Sequence, residues 1–140
     1  MNGPVFTSPV MRALAAGLLL TLGACGEAVA GVGDETVTLT IRHSRFSSSA
    51  VKVSPGTVRF VVRNLDPIAH ELIIGDGAAQ LRHERGTESH HGDRSGEISV
   101  NPGATAETTY LVTAGNAPLL FGCHLPGHWD YGMAGTITLA

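Results

Sequence analysis

Along most of this chain, apolar and polar residues alternate at every second position, which is typical of β-strands that bury one face. Val37, Leu39 and Ile41, for example, alternate with threonines. The alternation recurs in the segments 50–53, 58–62, 70–74, 97–100, 106–112, 119–123 and 135–139. Turn sequences such as Ser-Pro-Gly and Asn-Pro-Gly separate several of these segments. The pattern predicts an all-β domain, a Greek-key β-sandwich of seven to eight short strands.

One long segment, residues 75–96, interrupts the alternation. It is polar, charged and long for a hairpin connection, and loops of this kind are often functional. No window beyond residue 24 has a sustained helical period, so we expect a loop here. The segment contains His83, His90 and His91. These are either incidental residues of a solvated loop or a weak, secondary metal-capture site, because imidazole is a good ligand for transition metals.

The first 24 residues have the composition of an export signal. Arg12 is their only charged side chain, and residues 13–22 form a mostly apolar run that is too short to span a membrane. The sequence Leu-Gly-Ala before Cys25 resembles a bacterial lipobox, in which the cysteine is acylated and becomes the mature N-terminus. The alternative is an ordinary signal peptide, cleaved at a nearby small residue.

This interpretation predicts three parts of the chain: a lipoprotein signal peptide at 1–24, a flexible tether at 25–35 and one folded domain at 36–140. Without residues 1–24 the formal charge is −4, a mild acidity that gives no indication of nucleic-acid binding. We expect an exported monomer in the cell envelope, facing the periplasm or the outside. A lipid on Cys25 would anchor it to a membrane without spanning it.

Residues 119–135, LLFGCHLPGHWDYGMAG, combine three metal-binding side chains in one predicted strand–loop–strand unit. Cys123 would point inward at the end of its strand, and a Pro-Gly turn would bring His128 back toward the sulfur. A second bend at a glycine would bring Met133 close to both. An earlier strand supplies an inward-pointing histidine, His70, near its start. Two histidines and a cysteine in a plane, with a weak axial methionine, are the ligands of a type 1 (blue) copper site.

The order Cys-x4-His-x4-Met between two strands, with a lone histidine about fifty residues upstream, resembles the cupredoxin family. Plastocyanin, azurin, auracyanin and rusticyanin belong to it, and the loop is most similar in length to those of the last two. CHLPGHWDYGMAG also resembles periplasmic cupredoxins linked to copper resistance. The resemblance covers roughly residues 37–140 and implies the cupredoxin fold and one type 1 copper.

The sequence departs from the family pattern at one position. Many members have asparagine directly after the upstream histidine, whereas Glu71 follows it here. Asn64 is a candidate to supply the corresponding structural hydrogen bond. Strand alternation points His124 away from Cys123, so His124 is predicted to be a surface residue or a support for the site.

Four protein donors favour electron transfer over catalysis. Catalytic metals keep an open position for water or substrate, and this set leaves none, so we expect a carrier that cycles Cu(II)/Cu(I) and not an enzyme. His128 is the expected electron exit, and Leu125, Pro126 and Trp129 are the expected docking patch for redox partner proteins. The alternative function is copper sequestration or delivery in the cell envelope, with the same ligands and the His-rich loop.

Three other roles compete for Cys123. A Cys–His nucleophile would lack a helix N-terminus to lower the thiol pKa, and Met133 would have no purpose. A structural zinc site rarely uses a thioether. A disulfide between Cys25 and Cys123 would consume the thiol that is placed to bind metal. Copper at His70, Cys123, His128 and Met133, with lipidation of Cys25, accounts for both cysteines.

Overall fold

The computed structural model describes residues 1, 3, 35–86 and 94–140. The predicted signal peptide, Cys25, most of the predicted tether, and His90 and His91 lie outside these residues. From residue 35 onward the described segments are β1 (Glu35–Ile41), β2 (Ala50–Val53), β3 (Gly56–Asn64), β4 (His70–Gly75), α1 (Gly77–Glu84), β5 (Glu97–Val100), β6 (Thr105–Val112), β7 (Leu119–Gly122) and β8 (Ala134–Leu139).

The strands form two sheets. One has the order β1-β3-β6, with β1 parallel and β6 antiparallel to β3. The other has the order β2-β8-β7-β4-β5, in which only β2 and β8 pair in parallel. The two sheets enclose an apolar core, which confirms the predicted all-β sandwich.

The predicted alternation places the core side chains in β3. Val58, Phe60 and Val62 are fully buried, whereas Arg59 and Arg63 are exposed. All six residues of β4 are buried, because this strand lies between β5 and β7 and α1 contacts it. The strand that begins with His70 is therefore among the best protected of the described segments.

The helix α1 contradicts the prediction of a loop throughout residues 75–96. Its N-cap is Asp76, whose side chain accepts a hydrogen bond from the Ala79 N–H at 2.8 Å. The side chains that α1 buries belong to Gln80 and His83, which are polar. The segment therefore has no apolar period, and hydrophobic patterning could not detect the helix. No helix within the described ranges is long and apolar enough to cross a membrane.

Candidate metal centre

The loop between β7 and β8 contains three of the four predicted metal donors, and backbone hydrogen bonds fix its shape. The N–H of Cys123 donates to the Met133 carbonyl at 3.1 Å, and the N–H of Met133 donates to the His128 carbonyl at 2.9 Å. The N–H of His128 donates to the Leu125 carbonyl at 2.9 Å. These bonds fix the backbones of the three donor residues relative to one another.

His70 joins this loop from the start of β4. The donor atoms of His70, Cys123 and His128 all lie within 4.8 Å of one another. Sγ of Cys123 is 3.3 Å from Nδ1 of His128, and the two imidazole rings have centroids 5.0 Å apart. Cys123 and His70 are fully buried, and His128 is half-buried. The structure thus brings together two imidazoles and a thiol, as the spacing predicted.

Met133 is fully buried and belongs to the same apolar cluster as Cys123. Its backbone pairs with both Cys123 and His128, which keeps the residue at the base of the loop. Its role as the axial ligand stays a prediction.

One nitrogen of His70 is already engaged. Nε2 lies 3.0 Å from Oδ2 of Asp66, and Asp66 in turn accepts the backbone N–H groups of His43 and Ser44 at 2.7 Å each. Nδ1 of His70 is buried without a hydrogen-bond partner in the part of the chain that the structure describes. An imidazole whose Nε2 is held by a carboxylate and whose Nδ1 has no partner is suited to bind a metal through Nδ1.

The electrostatic environment of the site favours an ionised Asp66 and a neutral His70. Burial tends to raise the pKa of Asp66, but hydrogen bonds from Ser44, His43 and His70 together hold this pKa below its usual value. Burial lowers the pKa of His70 and the nearby His128 lowers it further, although contact with Asp66 opposes both effects. A neutral imidazole is the form that binds metals.

Burial also raises the pKa of the Cys123 thiol, and the charge of Glu71 acts in the same direction. Backbone N–H groups of Leu125 and Glu71 oppose the rise, the latter at 3.4 Å from Sγ. In the metal-free chain the thiol therefore keeps its proton at neutral pH, and a metal that binds the thiolate must displace it.

Glu71 and Asn64 show how the departure from the family pattern is accommodated. The backbone N–H of Glu71 donates to Sγ of Cys123, a bond that does not require an asparagine side chain. The side-chain amide of Asn64 donates to the carbonyls of Ile68 and Val100, at 2.7 and 3.0 Å. Asn64 therefore fastens the loop that precedes His70 to β5. That this bond replaces the one made by the family's asparagine stays a prediction.

Sequence reasoning missed Gln80. Its amide nitrogen donates to the carbonyls of Ile73 and Leu120, at 3.2 and 3.1 Å, and its oxygen lies 2.7 Å from Nε2 of His124. His124 lies outside the donor cluster and stacks on Trp129, with ring centroids 4.7 Å apart. His124 thus supports the ligand loop, which is one of the two roles predicted for it. Gln80 connects His124 to helix α1. Nothing in the residue pattern around Gln80 indicated this contact.

His83 is buried within α1. Its Nδ1 donates to the Ala79 carbonyl at 3.0 Å, and its Nε2 lies 3.6 Å from a carboxylate oxygen of Glu97. The predicted capture site also needs His90 and His91, which lie outside the described residues, so it stays a prediction. Across residues 35–86 and 94–140, the cluster of His70, Cys123 and His128 is the only group of His, Cys, Asp or Glu residues with the spacing of a metal site.

The donor set fits copper. A thiolate selects soft metals and imidazole binds both Cu(I) and Cu(II), so these three donors suit copper. The partnerless Nδ1 of buried His70 is the observation that favours a metal here over a packed core histidine.

Comparisons with known proteins agree with this donor set. A family model for copper binding proteins of the plastocyanin/azurin family matches residues 34–140. The copper-resistant cuproprotein CopI of Vibrio cholerae is 36% identical over 93 residues, which cover 64% of this chain and 54% of that protein. CopI of Rubrivivax gelatinosus is 32% identical over 100 residues, 68% of this chain and 59% of that protein. The chain thus spans little more than half the length of these two relatives.

A third CopI, from Pseudomonas aeruginosa, is 26% identical over 145 aligned positions that cover 80% of each protein. Two solved structures share the fold. Auracyanin of Roseiflexus castenholzii, reduced with dithionite, has a TM-score of 0.60 and 22% identity, with 76% of this chain and 98% of that chain covered. Auracyanin A of Chloroflexus aurantiacus, a "blue" copper protein, has a TM-score of 0.61 and 21% identity, with 77% and 100% covered.

Proposed function

The chain belongs to the plastocyanin/azurin family of copper-binding proteins, and on this basis we propose that it is a one-electron carrier. Copper is its cofactor, with His70, Cys123 and His128 positioned as a type 1 site. The observation that supports the proposal best is the juxtaposition of a fully buried thiol and two imidazoles. The thiol and one imidazole belong to a loop with its own backbone hydrogen bonds, and the other imidazole comes from the start of β4.

The protein residues have distinct parts in this function. Cys123 and His70, fully buried, keep water away from the donor atoms, and Met133 would complete the donor set with its thioether. The backbone hydrogen bonds of the loop hold the donors in one arrangement, so little rearrangement is needed when the charge changes. When bound, copper supplies a centre that gains and loses a single electron. Because four protein donors leave no position for a substrate, the proposed role is that of a carrier and not of an enzyme.

A redox partner protein would dock beside His128. This imidazole is half-buried, whereas the other predicted donors are fully buried, so an electron would leave the donor cluster through it. Leu125 and Trp129 are half-buried and Pro126 is exposed, which gives the ligand loop an apolar outer surface for a partner.

Copper handling is the second candidate function. The three CopI relatives are named copper-resistant cuproproteins, and this observation favours a role in copper sequestration or delivery. Export to the cell envelope and a lipid anchor on Cys25 are parts of the same proposal, supported by the apolar run at 13–22 and the lipobox-like sequence. We propose a monomer that binds no nucleic acid.

The test is the visible and EPR spectrum of the protein titrated with Cu(II). A type 1 site requires an intense thiolate-to-copper band at the red end of the spectrum. Cys123→Ser should abolish this band and keep a β-rich circular dichroism spectrum. Cys25→Ser, the same substitution at the other cysteine, is the matched control and should keep the band. A colourless wild-type copper complex would refute the proposal. Reduction and reoxidation of the blue protein by candidate partners then tests electron transfer.

A further inference from the structure

The turn after β1 has an unusual backbone. His43 and Ser44 are consecutive and both have left-handed conformations, with φ of 54° and 51°. Residues with a Cβ rarely adopt this conformation, and two in succession are rarer still. The conformation points both N–H groups at one carboxylate, that of Asp66, which accepts each at 2.7 Å on a different oxygen. Successive N–H groups that converge in this way form an anion-binding concavity.

Asp66 uses the same carboxylate to contact the metal site. Its Oδ2 lies 3.0 Å from Nε2 of His70, and the two side chains are 8% and 0% exposed. A carboxylate only accepts hydrogen bonds, so Nε2 of His70 carries the proton and Nδ1 has the lone pair. Two backbone donors hold the carboxylate in place, and it in turn orients the imidazole.

We propose that Asp66 is a positioning residue of the copper site, which fixes His70 as an Nδ1 donor and stabilises Cu(II) relative to Cu(I). The inference deepens the proposed function and depends on His70 being a copper ligand. A carboxylate hydrogen-bonded to a ligand histidine orients the ring and makes it a stronger donor. The more highly charged Cu(II) gains more from a stronger donor and from a nearby negative charge, and low exposure keeps water from screening that charge.

The backbone around Asp66 explains why a carboxylate, and not a neutral amide, suits this position. Asn at position 66 would offer one oxygen where the carboxylate offers two, and its NH2 group would face the N–H of either His43 or Ser44. The turn would lose one of its two acceptors, and His70 would lose the charge beside Nε2. The left-handed pair is therefore matched to an anion at Asp66.

The experiment compares Asp66→Asn with Asp130→Asn, which removes the same charge from an exposed position on the ligand loop. Asp66→Asn should weaken Cu(II) binding about 10- to 100-fold, the usual effect of losing such a partner, and weaken Cu(I) binding less. Each tenfold excess loss for Cu(II) raises the one-electron reduction potential by about 59 mV. Asp130→Asn should leave both affinities and the potential close to those of the wild type.

Two outcomes overturn the proposal. The first is a folded Asp66→Asn protein with a wild-type potential, whether the Cu(I) and Cu(II) affinities are unchanged or fall in parallel. The second is an equal potential shift in both variants, which would mean that the shift comes from the net charge of the molecule. In each case the thiolate-to-copper band of the wild type would still support the proposed function. If the wild type lacked this band, the proposed function itself would be refuted.

If Asp66→Asn does not fold, the wild-type protein decides the question. Loaded with Zn(II) as a redox-inert probe, it should give ¹⁵N shifts for His70 in which Nε2 carries the proton and Nδ1 binds the metal. The metal-free protein should show the same tautomer, because Asp66 and not the metal selects it. Metal on Nε2, or a proton on Nδ1 of the metal-free neutral ring, would overturn the proposal.

Discussion

The side-chain oxygen of Gln80 accepts a hydrogen bond from Nε2 of His124 over 2.7 Å, so helix α1 is joined to the residue that directly follows Cys123. The amide of the same glutamine also donates to carbonyls of Ile73 and Leu120, which belong to β4 and β7. One buried side chain therefore holds the helix against the two strands that lead to and from the metal centre.

Replacement of Gln80 by alanine should destabilise the protein. The substitution leaves the Ile73 and Leu120 carbonyls and the His124 imidazole without this partner, at a cost of about 1–3 kcal/mol in the free energy of unfolding. Urea unfolding of the metal-free protein measures the loss. Leu81→Ala, at a 43% exposed position of the same helix, is the control and should change stability by less than about 0.5 kcal/mol. Equal losses for the two variants would contradict the role of Gln80.

Gly122→Ala should disturb the ligand loop through Trp129. A Cβ at residue 122 would lie 2.3 Å from Cζ3 of Trp129, and this ring stacks on His124. The indole must move, which should cost about 1–3 kcal/mol and shift the energy of the thiolate-to-copper band. Gly115→Ala is the matched control, because its Cβ would meet only Thr113 Oγ1 at 3.8 Å. An unchanged spectrum and stability for Gly122→Ala would show that the packing of Trp129 does not affect the site.

Met133 is expected to affect the reduction potential of the copper more than the affinity for it, because the axial bond of a type 1 site is long and weak. Met133→Gln should keep one copper per chain and lower the reduction potential, since an oxygen donor favours Cu(II). Met133→Leu keeps an apolar side chain but removes the donor, so its potential should rise. A tenfold change in the ratio of the two affinities corresponds to about 59 mV, which voltammetry resolves. Shifts of the same sign in both variants, or loss of all copper, would contradict the assignment.

Copper stoichiometry separates the two candidate functions. If His83, His90 and His91 form a capture site, the protein should bind a second, weaker copper without a thiolate band, and the triple alanine variant should lose only that ion. Because His83 is buried against Glu97, the double variant of His90 and His91 is the cleaner test. The blue band and the rate of electron exchange should stay unchanged, while protection of cells against copper falls. A wild type that binds one copper only would exclude the capture site.

The proposed lipid anchor on Cys25 can be tested separately from the copper site. Protein isolated from its own host should partition into the detergent phase, and Cys25→Ser should move it to the aqueous phase, since one acylated cysteine is the proposed anchor. Mass spectrometry of the mature N-terminus provides the direct check. A signal peptide cleaved elsewhere, with an unmodified terminus, would remove the anchor and leave the copper chemistry unaffected.

Alternation predicted the strands well wherever one face of a strand meets the core. The bounds expected for β2 and β5 are the observed ones. Val51 and Val53 in β2, and Ile98 and Val100 in β5, are buried as the pattern implies, whereas Glu97 is buried against it. The helix escaped prediction because its buried side chains are polar. The phase of β4 was predicted, but the burial of Glu71 and Ile73 on its other face was not. Helix α1, which the pattern did not indicate, contacts this strand.

The donor cluster could be predicted from the sequence because three donors follow one another in a single loop. The contacts that support the cluster could not be predicted. Asp66 meets His43 across 23 residues, and Gln80 meets His124 across 44, so each pair exists only after the sheets have assembled. Spacing along the chain identifies local donors, whereas their partners are set by strand pairing.

The separation of His70 from the other donors has a consequence for assembly. Cys123, His128 and Met133 share one short loop, so even a disordered chain can gather them around an ion. His70 arrives only when β4 pairs with β7, the strand that ends just before Cys123. An incompletely folded chain can therefore offer copper a partial and weaker set of donors, and the final strength of the site develops with the pairing of these two strands. Copper binding at full affinity therefore indicates that β4 has paired with β7.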